Sequence, residues 1–302
     1  MTRQSWKMVT LAAIASLGLS ACSIPMALSE AQTTFGGSQF LQVHFTATLA
    51  SADPASTHFA TALQHLTFDL NEQSLSGLPI KSSLNRVNQD LVISNGTSRV
   101  ATILEHKSNV YFNINFAALS HVPGMTISAS TLASINLLLG ERWIELPFPL
   151  IAQYAHSSAG LTLTRSSISS SENQLLNAVV SVLAGGTAAT TTQGYSQTGS
   201  MATLVDALAA GLKTLGSKLT PTTKVLGTYT VSVTMSGSAA TDATVKVVTP
   251  IAKYGNAIVN VFATFAHQAV AVETPTYPLV ITPTLIKQFG SNGGGFLSGS
   301  LG

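Results

Sequence analysis

Charge is what this chain has least of. Asp, Glu, Lys and Arg make up 9% of its 302 residues, against about 25% in an ordinary soluble domain. With 14 basic residues, 12 acidic ones and a formal net charge of +2, no basic face can assemble to neutralise a run of phosphates, so a nucleic-acid partner is excluded. Intrinsic disorder needs low hydrophobicity and high net charge, and a hydrophobic fraction of 45% rules it out for most of the chain. The chain has one cysteine, which leaves no disulfide framework and no Cys-built zinc site. No apolar run reaches the roughly 20 residues that cross a bilayer as a helix. Ser and Thr stand where charges usually do. With 12 carboxylates, and surface ion pairs worth about 0–1 kcal/mol each, stability is expected to respond weakly to pH.

What is present begins at the N-terminus. Arg3 and Lys7 precede an apolar run over residues 8–19, followed by Ser20 and Ala21. A basic start, a short apolar core and small residues after it mark a secretory signal. The next residue is Cys22. Leu19-Ser20-Ala21-Cys22 resembles the lipobox of bacterial lipoproteins. That resemblance implies cleavage before Cys22, acylation of its sulfur, and an anchor on the extracytoplasmic side of a cell-envelope membrane. One acyl chain binds only marginally, so a stable anchor needs two or more. Residues 1–21 are then the signal peptide and residues 22–39 a tether. Arg3 and Lys7 leave with the signal, so 12 basic residues face 12 acidic ones in the mature chain, with no formal net charge.

Residues 40–49 alternate cleanly: Leu41, Val43, Phe45, Ala47 and Leu49 on one side, Gln42, His44, Thr46 and Thr48 on the other. Period two predicts a half-buried strand. Leu66, Phe68 and Leu70 repeat it, residues 89–93 and 100–104 flank an Asn95-Gly96 turn, and Val110, Phe112, Ile114 and Phe116 predict a further strand. The period then changes. Ser130 is placed to cap a short helix carrying Leu132, Ile135 and Leu139, residues 143–146 read as a brief strand, and Pro149 suits a first helical turn. Residues 157–200 read as a low-complexity connector. Ser200 can cap a helix with Leu204, Leu208, Leu212 and Leu215 in one stripe. Strands return at residues 229–235, 243–249, 257–266 and 268–273, with residues 258–265 apolar on both faces, as in a strand covered on both sides. The tail from residue 290 is rich in Gly and Ser.

Strands, helices and strands again predict an α+β fold, a curved antiparallel sheet packed over a few helices. The run from Ser108 to Phe116, followed by Arg142-Trp143-Ile144-Glu145-Leu146, resembles the strand, helical gap and short Trp strand of envelope lipoproteins of the LppX/LprG type, themselves similar to the LolA and LolB carriers. The resemblance covers about residues 40–288. It implies a half-barrel over helices, a single domain over residues 40–289, an apolar cavity for lipid tails, and no catalytic residues.

The sequence holds few arrangements with catalytic or metal-binding chemistry. The seven histidines include no His-Glu-x-x-His and no i, i+4 pair; His58 and His65 fall in a loop and at a strand start. Gly194-Tyr195-Ser196-Gln197-Thr198-Gly199 is one residue too long for a nucleophile elbow. No phosphate loop, dinucleotide fingerprint or facing carboxylate pair occurs. No enzyme activity, cofactor or metal is therefore expected. The aromatic residues Phe45, Phe68, Phe112 and Phe116 fall on the apolar faces of their strands, beside Val43 and Ile114. They would line either a filled core or a cavity for an acyl ligand. Their expected covers are the leucine stripe from Leu204 and the segment around Leu132 and Ile135. The function expected is a lipid-anchored envelope protein that binds or carries an apolar ligand; the alternative is a surface structural or adhesive lipoprotein with a filled core.

Overall fold

The computed structural model describes residues 37–80, 87–106, 109–125, 127–140, 142–159, 186–191, 193–214, 226–237, 239–251, 253–266, 268–270, 272 and 275–284. Cys22, the signal peptide, most of the tether, residues 160–185 of the expected connector and the tail from residue 290 lie outside the described residues.

Among the described residues twelve strands form one large curved sheet that does not close. They are β1 (Phe40–Ala50), β2 (Leu66–Ser74), β3 (Val87–Asn95), β4 (Ser98–His106), β5 (Asn109–Ile114), β6 (Ile144–Leu146), β7 (Thr187–Thr191), β8 (Gly194–Ser200), β9 (Thr228–Ser236), β10 (Ala239–Ile251), β11 (Gly255–Ala266) and β12 (Leu279–Val280). Their order is β12-β6-β5-β4-β3-β2-β1-β11-β10-β9-β8-β7. Among the described residues five α-helices join them: α1 (Thr57–His65), α2 (Phe116–Ser120), α3 (Ala129–Leu138), α4 (Phe148–Ala159) and α5 (Met201–Thr214). The chain lays β1 to β6 outward in sequence, crosses to the far edge at β7, and returns strand by strand until β11 pairs with β1. The α+β expectation holds in outline. One edge departs from it, because β12 pairs with β6 in parallel.

The strand registers thread one apolar face through the whole sheet. From Phe45 it runs to Phe68, Ile93, Ala101 and Ile114 on one side, and to Ala263, Ala243, Val233 and Tyr195 on the other. Because side chains alternate with period two, the residues between these positions face the opposite way. Among the described residues three clusters hold the core. Leu63 of α1 and Ile80 close over Leu41, Val43, Phe45, Ala47, Val259, Val261 and Ala263. Met201 and Leu204 of α5 close over Tyr229, Val231, Val233, Ala240 and Ala243. Ala62 of α1 packs instead with Val100 and Val122, so neighbouring residues of one helix serve two clusters.

Several expectations are corrected. Residues 187–200 are not a connector but the β7–β8 hairpin. Its Thr, Ala and Gly residues carry almost no hydrophobic signal, and β9 supplies the pairing that orders it. Two of its glycines permit close approach: a Cβ on Gly194 would strike the Val233 carbonyl, and one on Gly199 would strike the Tyr229 ring. Residues 57–65 form a helix rather than a loop. The cap of α3 is Ser128, whose hydroxyl accepts from the Thr131 N–H, not Ser130. Phe116 does not extend β5 but opens α2, because Asn115 turns the chain: its Oδ1 accepts from the Ala118 N–H while its own N–H donates to the Val100 carbonyl. The described residues between 268 and 272 lie outside any strand. β11 is central, yet its outer face is uncovered at Phe262, which is half exposed.

Candidate functional site

The expected site residues divide by register. Val43 and Phe45 of β1 are buried, and the Phe45 ring stacks on Phe68 across the strands, with centroids 4.9 Å apart and planes 7° from parallel. Phe112 and Ile114 lie on the same face three strands further out, through Ile103 and Ala101 of β4. Phe116, on α2, is outside this array. Around Phe68, Phe112 and Ile114 sit Leu70, Leu91, Ile93 and Ile103, and all seven are only half-buried. Among the described residues no buried side chain of the expected leucine stripe packs on them. The described buried residues of α5, Met201 and Leu204, pack on β9 and β10 instead. The side chains of Leu208 and Leu212, and Leu215 altogether, lie outside the described residues.

The reverse side of the same strands is polar, and more deeply buried. Asn71 donates to Asp90 Oδ1 at 2.7 Å in a fully buried cross-strand pair. His106 Nδ1 and Asn88 Oδ1 are 2.8 Å apart. Asn109 donates to Glu145 at 2.8 Å, and its Oδ1 accepts from the Phe148 N–H that opens α4. Leu104 and Thr102, each 1% exposed, lie among them. Thr102 Oγ1 and Asn71 Oδ1 have no hydrogen-bond partner, which leaves a desolvation cost uncompensated. Nearer the middle of the sheet, His44 Nδ1 and Asp69 Oδ1 meet at 2.7 Å on the exposed side.

Three further groups carry no motif in the sequence, though strand phase points to them. In β2, Leu66, Phe68 and Leu70 are followed in phase by Glu72, which therefore faces the apolar side. Its register partners carry a polar strip outward, Glu72 to Gln89 to Glu105, and Gln89 Nε2 donates to Glu105 Oε2 at 2.8 Å. Although Glu72 keeps part of its surface in water, the protein crowded around it pushes its carboxyl up from 4.5 to about 7, because burial disfavours the charged form. In the other half, Gln197 of β8 occupies an apolar-face position opposite Val231. It is 1% exposed and neither amide atom has a partner. Burial also raises the Tyr229 phenol. Among the described residues no group of three or more His, Cys, Asp and Glu side chains could hold a metal ion, and no helix is long and apolar enough to cross a membrane.

No protein-family model and no curated protein matches the chain. Among solved structures, one similar chain belongs to a structure titled for lipid–protein interactions in lipovitellin. The two are 8% identical, with a TM-score of 0.23, over 81% of this chain and 27% of that one. This chain thus spans about a quarter of that protein's length.

Proposed function

We propose that this protein binds an acyl lipid on the half of its sheet formed by β2 to β6. One observation carries the reading. Of a single apolar face, Met201 and Leu204 of α5 bury Val231, Val233 and Ala243 and leave Val245 and Val247 half-buried, whereas over β2–β5 all seven large side chains from Phe68 to Ile114 are half-buried. A contiguous apolar surface kept partly open to water is unfavourable at about 25 cal/mol per Å² and marks an interaction site. The curved sheet then serves as a half-barrel, with the open apolar rows as its lining. In this reading the chain is exported, cut before Cys22 and held in the cell envelope by acyl chains on that sulfur. It carries its ligand without catalysing a reaction.

The alternative is a surface structural or adhesive lipoprotein, and the filled cluster under α5 is what it requires of the whole molecule. Gentle purification of the full-length protein from its own membrane, followed by native mass spectrometry and thin-layer analysis of an organic extract, separates the two. Bound acyl lipid is expected, reduced several-fold by Phe112→Trp or Ile114→Trp while cooperative unfolding is retained. Release of the Cys22→Ser protein from the membrane is expected in parallel. Lipid-free wild-type protein would leave the filled-core reading in its place.

A further inference from the structure

At one end the open apolar rows meet a strip with two carboxylates, and at the other end the row is Leu66, Asn95 and Ser98, without a charge. Glu72 near the end of β2, Gln89 near the start of β3 and Glu105 near the end of β4 are register partners on the apolar face, with Leu41 and Val110 continuing that row on either side. The next row inward, Leu70, Leu91, Ile103 and Phe112, is wholly apolar. The outer carboxylates stand two strand spacings apart, roughly 10 Å. The strip presents acceptors: two carboxylates, and the carbonyl oxygen of Gln89, whose amide nitrogen is turned to Glu105.

Glu72 distinguishes this strip from an ordinary acidic surface. Its carboxyl is crowded by protein, and among the described residues no side chain hydrogen-bonds it. A desolvated acceptor without a donor is costly, and the cost is removed by a ligand that brings the donor.

We propose that this strip selects the head of the lipid: the acyl chain lies along the apolar rows, and a head that donates hydrogen bonds and carries no negative charge, a hydroxyl or an ammonium, sits against Glu72 and Glu105. A fatty-acid carboxylate or a phosphate there meets like charge and a second set of acceptors, and is rejected. The inference rests on the lipid-binding reading and adds the chemistry of the ligand's polar end. It also links binding to pH through Glu72. On its face of β1 to β5, Glu105 is the other titratable group. By register, His44, Asp69, Asp90 and His106 lie on the reverse side. His58 and His65 of α1, which packs on β1, are exposed.

The test is displacement of a fluorescent acyl probe from delipidated full-length protein by dodecylamine, monolaurin and laurate, which share one chain length. At pH 8 the amine and the monoglyceride are expected to bind about tenfold or more tighter than laurate. Glu72→Gln with Glu105→Gln should bring the amine and laurate within about threefold of each other. At pH 5.5 the wild-type protein should discriminate less, because Glu72 is then protonated. Gln89→Lys, which puts a cation in the strip, should turn the preference toward laurate and serves if the double variant does not fold. Equal binding of the three by wild-type protein, or discrimination that survives both sets of substitutions, would overturn the head-group proposal and leave lipid binding standing. Failure of all three to displace the probe, or of the probe to bind, would overturn both.

Discussion

The two halves of this sheet share a face and a register but treat their apolar side chains differently. Over β9 and β10, Val231, Val233 and Ala243 are buried beneath Met201 and Leu204 of α5. Over β3 and β4, Leu91, Ile93 and Ile103 occupy equivalent positions and stay half-buried. The buried residues of β3 and β4 are largely on the other side, where Asn88, Asp90, Thr102 and Leu104 are enclosed. Alternation is thus the same in both halves, and the placement of helices sets which face is dry. α5 follows β8 directly and folds back on it, whereas Asn109 ties the start of α4 to the polar side of β5.

The largest expected effect tests that difference in packing. Leu204→Ala in the closed half should cost about 2–5 kcal/mol, the usual range for a buried leucine. Ile103→Ala in the open half should cost roughly 1 kcal/mol without lipid, since water already reaches part of the side chain, and more once lipid is bound. Urea midpoints with and without bound lipid measure both. Equal losses in lipid-free protein would erase the distinction between the halves.

Glu72 supplies the next effect. Below pH 4.5 its carboxyl is protonated in both the folded and the unfolded chain and imposes no penalty. As pH rises, the unfolded chain ionises first, so stability falls until the folded carboxyl ionises at about 7, and is level above that. A shift from 4.5 to about 7 sets an upper limit of about 3 kcal/mol on the loss. Glu72→Gln should therefore raise stability at pH 8 by up to that amount and change nothing at pH 4. Melting curves at the two values check it, and a variant no more stable at pH 8 would return this row to an ordinary solvated edge. A count of 12 carboxylates leads to an expectation of weak pH dependence; one buried carboxyl works against it.

The smallest effect probes the closed half for an imperfection. Gln197 places an unpaired amide among apolar neighbours, at a cost of about 1–3 kcal/mol. Gln197→Leu should recover roughly 1–2 kcal/mol in a urea titration. A loss of stability instead would mean that the amide has a partner, and that this half too receives a polar ligand or an ordered water.

Much of the candidate site was legible residue by residue. The alternation of Val43 and Phe45 with His44, and of Phe112 and Ile114 with Asn113, placed each on its face correctly, because period two is written in the order of the residues. Phe116 failed, since Asn115 can end a strand as readily as occupy one, and only the Val100 carbonyl that takes its N–H settles which. The β7–β8 hairpin was illegible for a different reason: Thr187–Thr191 has no alternation to read, and its order comes from β8 and β9 alongside.

By itself, the order of residues determined the phase of the long alternating strands, the near absence of charge and the lone thiol at Cys22. These are local or compositional properties, and no distant contact changes them. The tertiary structure alone decided that β11 joins β1, that Met201 and Leu204 of α5 close over β9 and β10, and that Glu72, Gln89 and Glu105 stand in a row. Each depends on residues far apart in the chain meeting across strands, and pattern within a segment carries no information about which segment will lie beside it.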